Sequence, residues 1–214
     1  MKNLNGRNLK AGALVTSLGA LVLIFGNSVF AGLNATVSGA NSAASGTLAL
    51  SSSPNGVGFT QSVSNMAPGD VVNRYITLTN GGSLDAQTLG LAVTATGTQT
   101  LITDGVSPAT NKALTLAINS CTGTWNTSTG ACSGTINTEI GATTLSAFTA
   151  KKNFLNTSNM AAGGALNLQL QLTLPDQNET TVNGVAPTNT VQGGSVSLAY
   201  LFSEAQRTSS TTNS

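Results

Sequence analysis

Alternation with a period of two runs through the later part of the chain. In residues 165–174, ALNLQLQLTL, Leu166, Leu168, Leu170, Leu172 and Leu174 fall on one side, and Asn167, Gln169, Gln171 and Thr173 on the other. Neighbouring side chains of a strand point to opposite faces, so this pattern predicts a half-buried antiparallel strand that Pro175 ends. Residues 195–204, SVSLAYLFSE, repeat it through Val196, Leu198, Tyr200 and Phe202. Upstream, 72–78 turns Val72, Ile76 and Leu78 inward, with Arg74 as an odd member suited to an edge or rim. Leu89, Leu91 and Val93 mark a strand over 88–96, and Leu114, Leu116 and Ile118 mark another. Shorter strands are expected at 47–51, through Leu48 and Leu50, and at 58–63, through Phe59.

Turn signals punctuate these runs: Pro54-Asn55-Gly56, Asn80-Gly81-Gly82, Asp104-Gly105, Gly163-Gly164, Asn183-Gly184 and Gly193-Gly194. Only residues 142–155, ATTLSAFTAKKNFL, suit a short helix. Many short strands, frequent turns and no long helix predict an all-β chain, a single antiparallel β-sandwich of jelly-roll type.

Residues 1–31 follow another pattern. Lys2, Arg7 and Lys10 precede an apolar run centred on 18–25, and small residues close it at Ala31. This is the layout of a secretory signal peptide cut between Ala31 and Gly32. An uncleaved membrane anchor is the alternative, since the run is just long enough to span a bilayer; Gly12, Gly19 and Gly26 and the lack of a following basic cluster weaken it. The expected organisation is a signal peptide over 1–31, a β-sandwich over 32–205 and a polar tail over 206–214. Membrane contact is then expected only through the signal segment before cleavage.

Charge narrows the chemistry. Only 7% of the 214 residues are charged, eight Lys and Arg against seven Asp and Glu. Without the leader, five cations face seven acids, a net charge of −2. Too few cations remain to neutralise a phosphate backbone, so no nucleic-acid partner is expected. Histidine is absent, which removes imidazole bases, histidine zinc ligands and the Ser-His-Asp arrangement. The two cysteines, Cys121 and Cys132, bracket a Gly/Thr/Asn-rich loop and in an exported chain read as a disulfide.

Other candidates carry competing readings. The seven acids, Asp70, Asp85, Asp104, Glu139, Asp176, Glu179 and Glu204, fall in predicted turns or at strand ends, which offers a glycosidase no facing carboxylates. Asp176 and Glu179, in PDQNET, could give oxygens to calcium, or belong to a solvated hairpin loop; the alternating donors of an EF-hand are missing. Trp125 is either a plug beneath the disulfide loop or a surface-binding ring. No phosphate-binding glycine loop occurs, and no cofactor is expected. Asn34, Asn126, Asn156 and Asn178 begin NxS/T triplets, which matter only in a glycosylating host.

The N-terminal part of the mature chain has its own character. After Ala31, the stretch Leu33, Asn34, Ala35, Thr36, Val37, Ser38 is a β-capable segment tethered to Leu48 through small residues. Such a strand can join its own sheet or complete a neighbour's open edge. Residues 65–85, NMAPGDVVNRYITLTNGGSLD, form a stiff meander.

These residues resemble the TasA/camelysin family of secreted proteins. The meander is similar to that family's "N-L-x-P-G-D … N-x-G-S/T-L-D" stretch, SGTLAL at 45–50 to its "G-T-L-D-L", and SVSLAYLFSEAQ at 195–206 to its closing strand. Ala49 stands where the family carries an acid, and the usual lysine richness is missing. The resemblance implies a jelly-roll subunit of extracellular biofilm fibres or surface pili, exported through a dedicated signal peptidase. It further implies a homopolymer in which residues 33–38 are a donor strand for the next subunit, with other matrix or cell-wall components as further partners. Camelysin-type members are also described as metalloendopeptidases, a reading that this histidine-free sequence does not support. The expectation is a non-enzymatic structural subunit; a monomeric cell-surface binding module is the alternative, and a camelysin-like protease a remote one.

Overall fold

The computed structural model describes residues 46–56, 66–104, 111–177 and 179–209. The leader, the Ala31–Gly32 junction, the donor segment 33–38 and the strand expected at 58–63 lie outside these residues.

Among the described residues there are eight strands: β1 (Leu50–Asn55), β2 (Val71–Asn80), β3 (Ala86–Gly97), β4 (Thr115–Cys121), β5 (Ile136–Thr144), β6 (Lys152–Asn153), β7 (Ala165–Thr173) and β8 (Val196–Gln206). A four-residue helix, α1 (Gln99–Ile102), follows β3, and a 3-10 helix (Leu145–Phe148) follows β5. The strands form a five-stranded sheet, ordered β1-β2-β7-β4-β5, and a three-stranded sheet, ordered β6-β3-β8. Every pairing is antiparallel, and the two sheets pack as a sandwich.

The leucine row of β7 makes the core. Leu168 and Leu170 are almost fully buried, with Ile76 and Leu78 of β2 beside them and Leu116 and Ile118 of β4 on the other flank. Leu89, Leu91 and Val93 of β3 cover this row from the smaller sheet, and Phe148, from the 3-10 helix, fills the space between. Burying each such side chain stabilises the fold by about 1.5–3 kcal/mol, which is why a chain this poor in aromatics can hold a core.

Three departures from the sequence reading have local causes. β1 continues through Pro54 to Asn55, where a turn was expected; among the described residues β1 is a sheet edge, and an edge strand tolerates a residue without an N–H. β5, INTEIGATT, carries too few apolar residues to be read as a strand. Within it the register steps from Ile118↔Ile140 to Asn119↔Thr138, so Glu139 is an extra, bulged residue that turns inward beside Ile140. Glu139 is therefore neither in a turn nor at a strand end: it is mid-strand and fully buried.

Candidate functional site

The sandwich has two lateral seams where the sheet edges meet, and they differ. One lies between β5 and β6, and the other between β1 and β8.

At the β5–β6 seam, residues 152–157 serve both sheets. Phe154 N donates to Leu89 O of β3 (2.9 Å), and the next residue, Leu155, donates its N–H to Glu139 O of β5 (3.1 Å). The Glu139 carboxylate anchors this segment. Its Oε1 accepts from Ser120 Oγ (2.6 Å) and from Thr157 Oγ1, and its Oε2 from the backbone N–H groups of Asn156 (2.9 Å) and Thr157 (3.0 Å). A buried carboxylate is tolerated when donors replace its water, and four do so here. Both oxygens are committed to structure.

Among the described residues, the β1–β8 seam is incomplete. β8 pairs with β3 on one side, and among the described residues no strand pairs with its other side. Its inward row, Val196, Leu198, Tyr200 and Phe202, is only half-buried, as are Leu48 and Leu50 at the β1 end of the larger sheet. Partly covered apolar side chains thus gather along one side of the sandwich. At one end, residues 47–49 cross toward the second sheet: Gly81 N donates to Ala49 O (2.7 Å) and Ser83 N to Thr47 O (2.9 Å).

Glu204 continues the inward row of β8 at this same end. Neither carboxylate oxygen has a hydrogen-bond partner among the described residues, although both are shielded from solvent. Burial pushes its carboxyl above the usual range, while the Lys151 ammonium draws it back down. Lys151 itself donates to Thr88 O, at the bulge where β3 slips against β8, and burial lowers its own basicity. The sequence places Glu204 among acids at turns or strand ends, and its place in the alternation, two residues beyond Phe202, gives its inward direction.

The remaining candidates lie elsewhere. A disulfide joins Cys121 to Cys132, with Cα atoms 5.8 Å apart. With Trp125 and Tyr75 it forms a small second core on the outer face of the five-stranded sheet. Trp125 is 8% exposed, sits 5.6 Å from the Tyr75 ring and donates its Nε1–H to Asn167 O (3.1 Å). Its ring is packed inside, where it offers no open surface for stacking a ligand. Around it, a polar ladder crosses the sheet: Asn55 Nδ2 donates to Thr77 Oγ1 (2.9 Å), which donates to Asn167 Oδ1 (2.7 Å), while Asn167 Nδ2 donates to Gly123 O (2.6 Å).

Asp176 is exposed, whereas the Glu179 side chain is 4% exposed and ion-paired with Lys112 at 2.7 Å. Thr190 Oγ1 donates to Glu179 Oε2 (2.5 Å), and Val191 N donates to the same carboxylate. Burial pushes the Glu179 carboxyl up, but these donors, Lys112 foremost, outweigh it and bring it down to about 2. Its oxygens pin the 179–191 loop to Lys112.

A catalytic zinc does not fit this donor set. The sequence has no histidine, and its only two cysteines are joined in the disulfide. Among the described residues, no group of three or more Cys, Asp or Glu side chains converges.

No curated protein matches the chain. The sequence model of the camelysin metallo-endopeptidase family matches residues 6–211, nearly the full length, and on that match the chain belongs to the TasA/camelysin family.

Proposed function

We propose that this chain is a secreted structural subunit of an extracellular fibre or biofilm matrix, of jelly-roll type, which polymerises when residues 33–38 of one copy enter the β1–β8 seam of the next. The observation that carries this reading is the side of β8 that no strand among the described residues pairs with, together with its half-buried apolar row. An unpaired edge strand presents backbone N–H and C=O groups that another strand can satisfy. The segment LNATVS supplies a matching alternation, with Leu33, Ala35 and Val37 on one face. The TasA/camelysin membership supports a fibre-type role, and the positive, apolar leader supports export.

The same reading makes the chain non-enzymatic. The family's peptidase description would call for histidine zinc ligands, which this sequence lacks, and the buried Glu139 spends both oxygens on structure.

Electron microscopy of the processed chain tests the reading. Regular filaments are expected from the chain beginning at Gly32, and none from a chain beginning at Gly39, whose circular dichroism stays the same. Filaments from the shortened chain would overturn strand donation. Particles that stay monodisperse at every concentration and pH would favour a monomeric binding module.

A further inference from the structure

The unpartnered Glu204 carboxylate points to what completes the seam. This inference rests on the strand-donation reading and deepens it. We propose that Glu204 receives the free α-ammonium group of Gly32 from a second copy of the chain, so that only a processed N-terminus completes the β1–β8 seam.

Register carries the inference. Every pairing in the sandwich is antiparallel, and an antiparallel strand added to β8 brings its N-terminus to the Glu204 end. Residues directly opposite share a face. Placing Leu33 opposite Phe202 sets Ala35 opposite Tyr200 and Val37 opposite Leu198, so the apolar residues of the donor meet the half-buried row of β8. Gly32 then lies opposite Ser203, and its amino group lies beside Glu204. A carboxylate held away from water without donors is costly, and an ammonium group is the partner that offsets that cost most. An α-amino group, which loses its proton near pH 8, is charged at neutral pH.

The donor must come from another copy. Gly46 lies against the Leu84 side chain, and Arg207 N donates to Asp85 O (3.2 Å), so Gly46, where the tether ends, is near the C-terminal end of β8. In the register above, Ser38 would sit opposite Ser197, and from there to Gln206 along β8 is about 30 Å at ~3.3 Å per residue. The tether from residue 38 to 46 reaches at most about 29 Å. Pairing with its own β8 would need the tether fully stretched, whereas a neighbouring copy carries no such constraint. Lys151 is the charged group already facing Glu204, but its ammonium is bonded to Thr88 O, which leaves the carboxylate oxygens for an incoming donor.

Zero-length carbodiimide coupling of filaments, grown from mixed ¹⁴N and ¹⁵N chains beginning at Gly32, tests the contact directly. The expected product is an amide between the Gly32 α-nitrogen and Glu204 of a different chain, identified by mass spectrometry. In parallel, Glu204→Gln and N-terminal acetylation of Gly32 are each expected to raise the critical concentration for polymerisation about tenfold. Combined, they should do no more than either alone, because they remove the same contact. Filaments that yield no such amide, or effects that multiply, would overturn the Glu204 contact while strand donation stands. An amide within one chain would also overturn it. Filaments from the chain beginning at Gly39 would overturn strand donation and this contact together, as would a failure of the unmodified chain to polymerise. The coupling result on the unmodified chain holds even if Glu204→Gln fails to fold.

Discussion

The β5–β6 seam and the β1–β8 seam face opposite sides of one sandwich and end in opposite states. At the first, consecutive backbone N–H groups of Phe154 and Leu155 bond to the two sheets in turn, and the Glu139 carboxylate takes four donors. At the second, among the described residues, an edge strand of eleven residues has no partner on its outer side and the Glu204 carboxylate takes no hydrogen bond. The two carboxylates are the same chemical group on strands of the same fold. Among the described residues, what separates them is a segment that bridges the sheets at one edge and not at the other. Among the described residues, the closed edge has a short crossing segment and a polar anchor, and the other edge has half-buried apolar side chains without either.

The largest effect expected on this contrast comes from removing the anchor of the closed seam. Glu139→Ala should destabilise the subunit by about 4 kcal/mol in denaturant unfolding, since it strands buried donors of Ser120, Asn156 and Thr157. A cost below about 1 kcal/mol would mean that the seam is held by packing alone. The disulfide belongs to neither seam and serves as a reference. Replacing Cys121 and Cys132 by serine should cost about 3 kcal/mol through loop entropy, without altering polymerisation.

Matched leucines sharpen the comparison. Leu168→Ala, in the closed core, should cost about 3 kcal/mol, whereas Leu198→Ala on β8 should cost about 1 kcal/mol in the lone subunit. In filaments, strand donation predicts a larger penalty for Leu198→Ala, read as a higher critical concentration. Equal costs in the lone subunit would erase the difference between the seams.

The effects of pH have opposite signs at the two carboxylates. Glu179 is held at about 2 in the folded chain against a reference of 4.5, so its stabilisation is present above pH 4.5 and lost as pH falls toward 2. Glu204 is raised above 4.5, so the folded subunit gains stability as pH falls through its raised value toward 4.5. Unfolding midpoints across pH should therefore lose their low-pH slope in Glu179→Gln, and their slope above pH 4.5 in Glu204→Gln.

Much of this was legible in the residues. The rows of β7, β8, β3, β4 and β2 could be read because each strand has one face on the core, which writes a period of two into the sequence. The 3-10 helix lies inside the one stretch that suits a helix, where Leu145 and Phe148 fall three apart. β5 was hidden because its inward bulge position is filled by Glu139, a residue that alternation assigns to solvent. α1 was hidden because four residues are too few for a helical period to show, although Leu101 and Ile102 are buried. The seam itself could not be read, since which edge stays unpaired depends on the order of strands across the sheets, and alternation says nothing about order.

The small outer core has an optical consequence. Trp125 is the chain's one tryptophan, and it lies against Tyr75 on the outer face of the five-stranded sheet, across that sheet from the main core. Its emission therefore reports on the disulfide loop and stays blind to events along β8. A red shift on reduction, with no shift as filaments grow, would make this one ring a spectral label for a face of the subunit that assembly never touches.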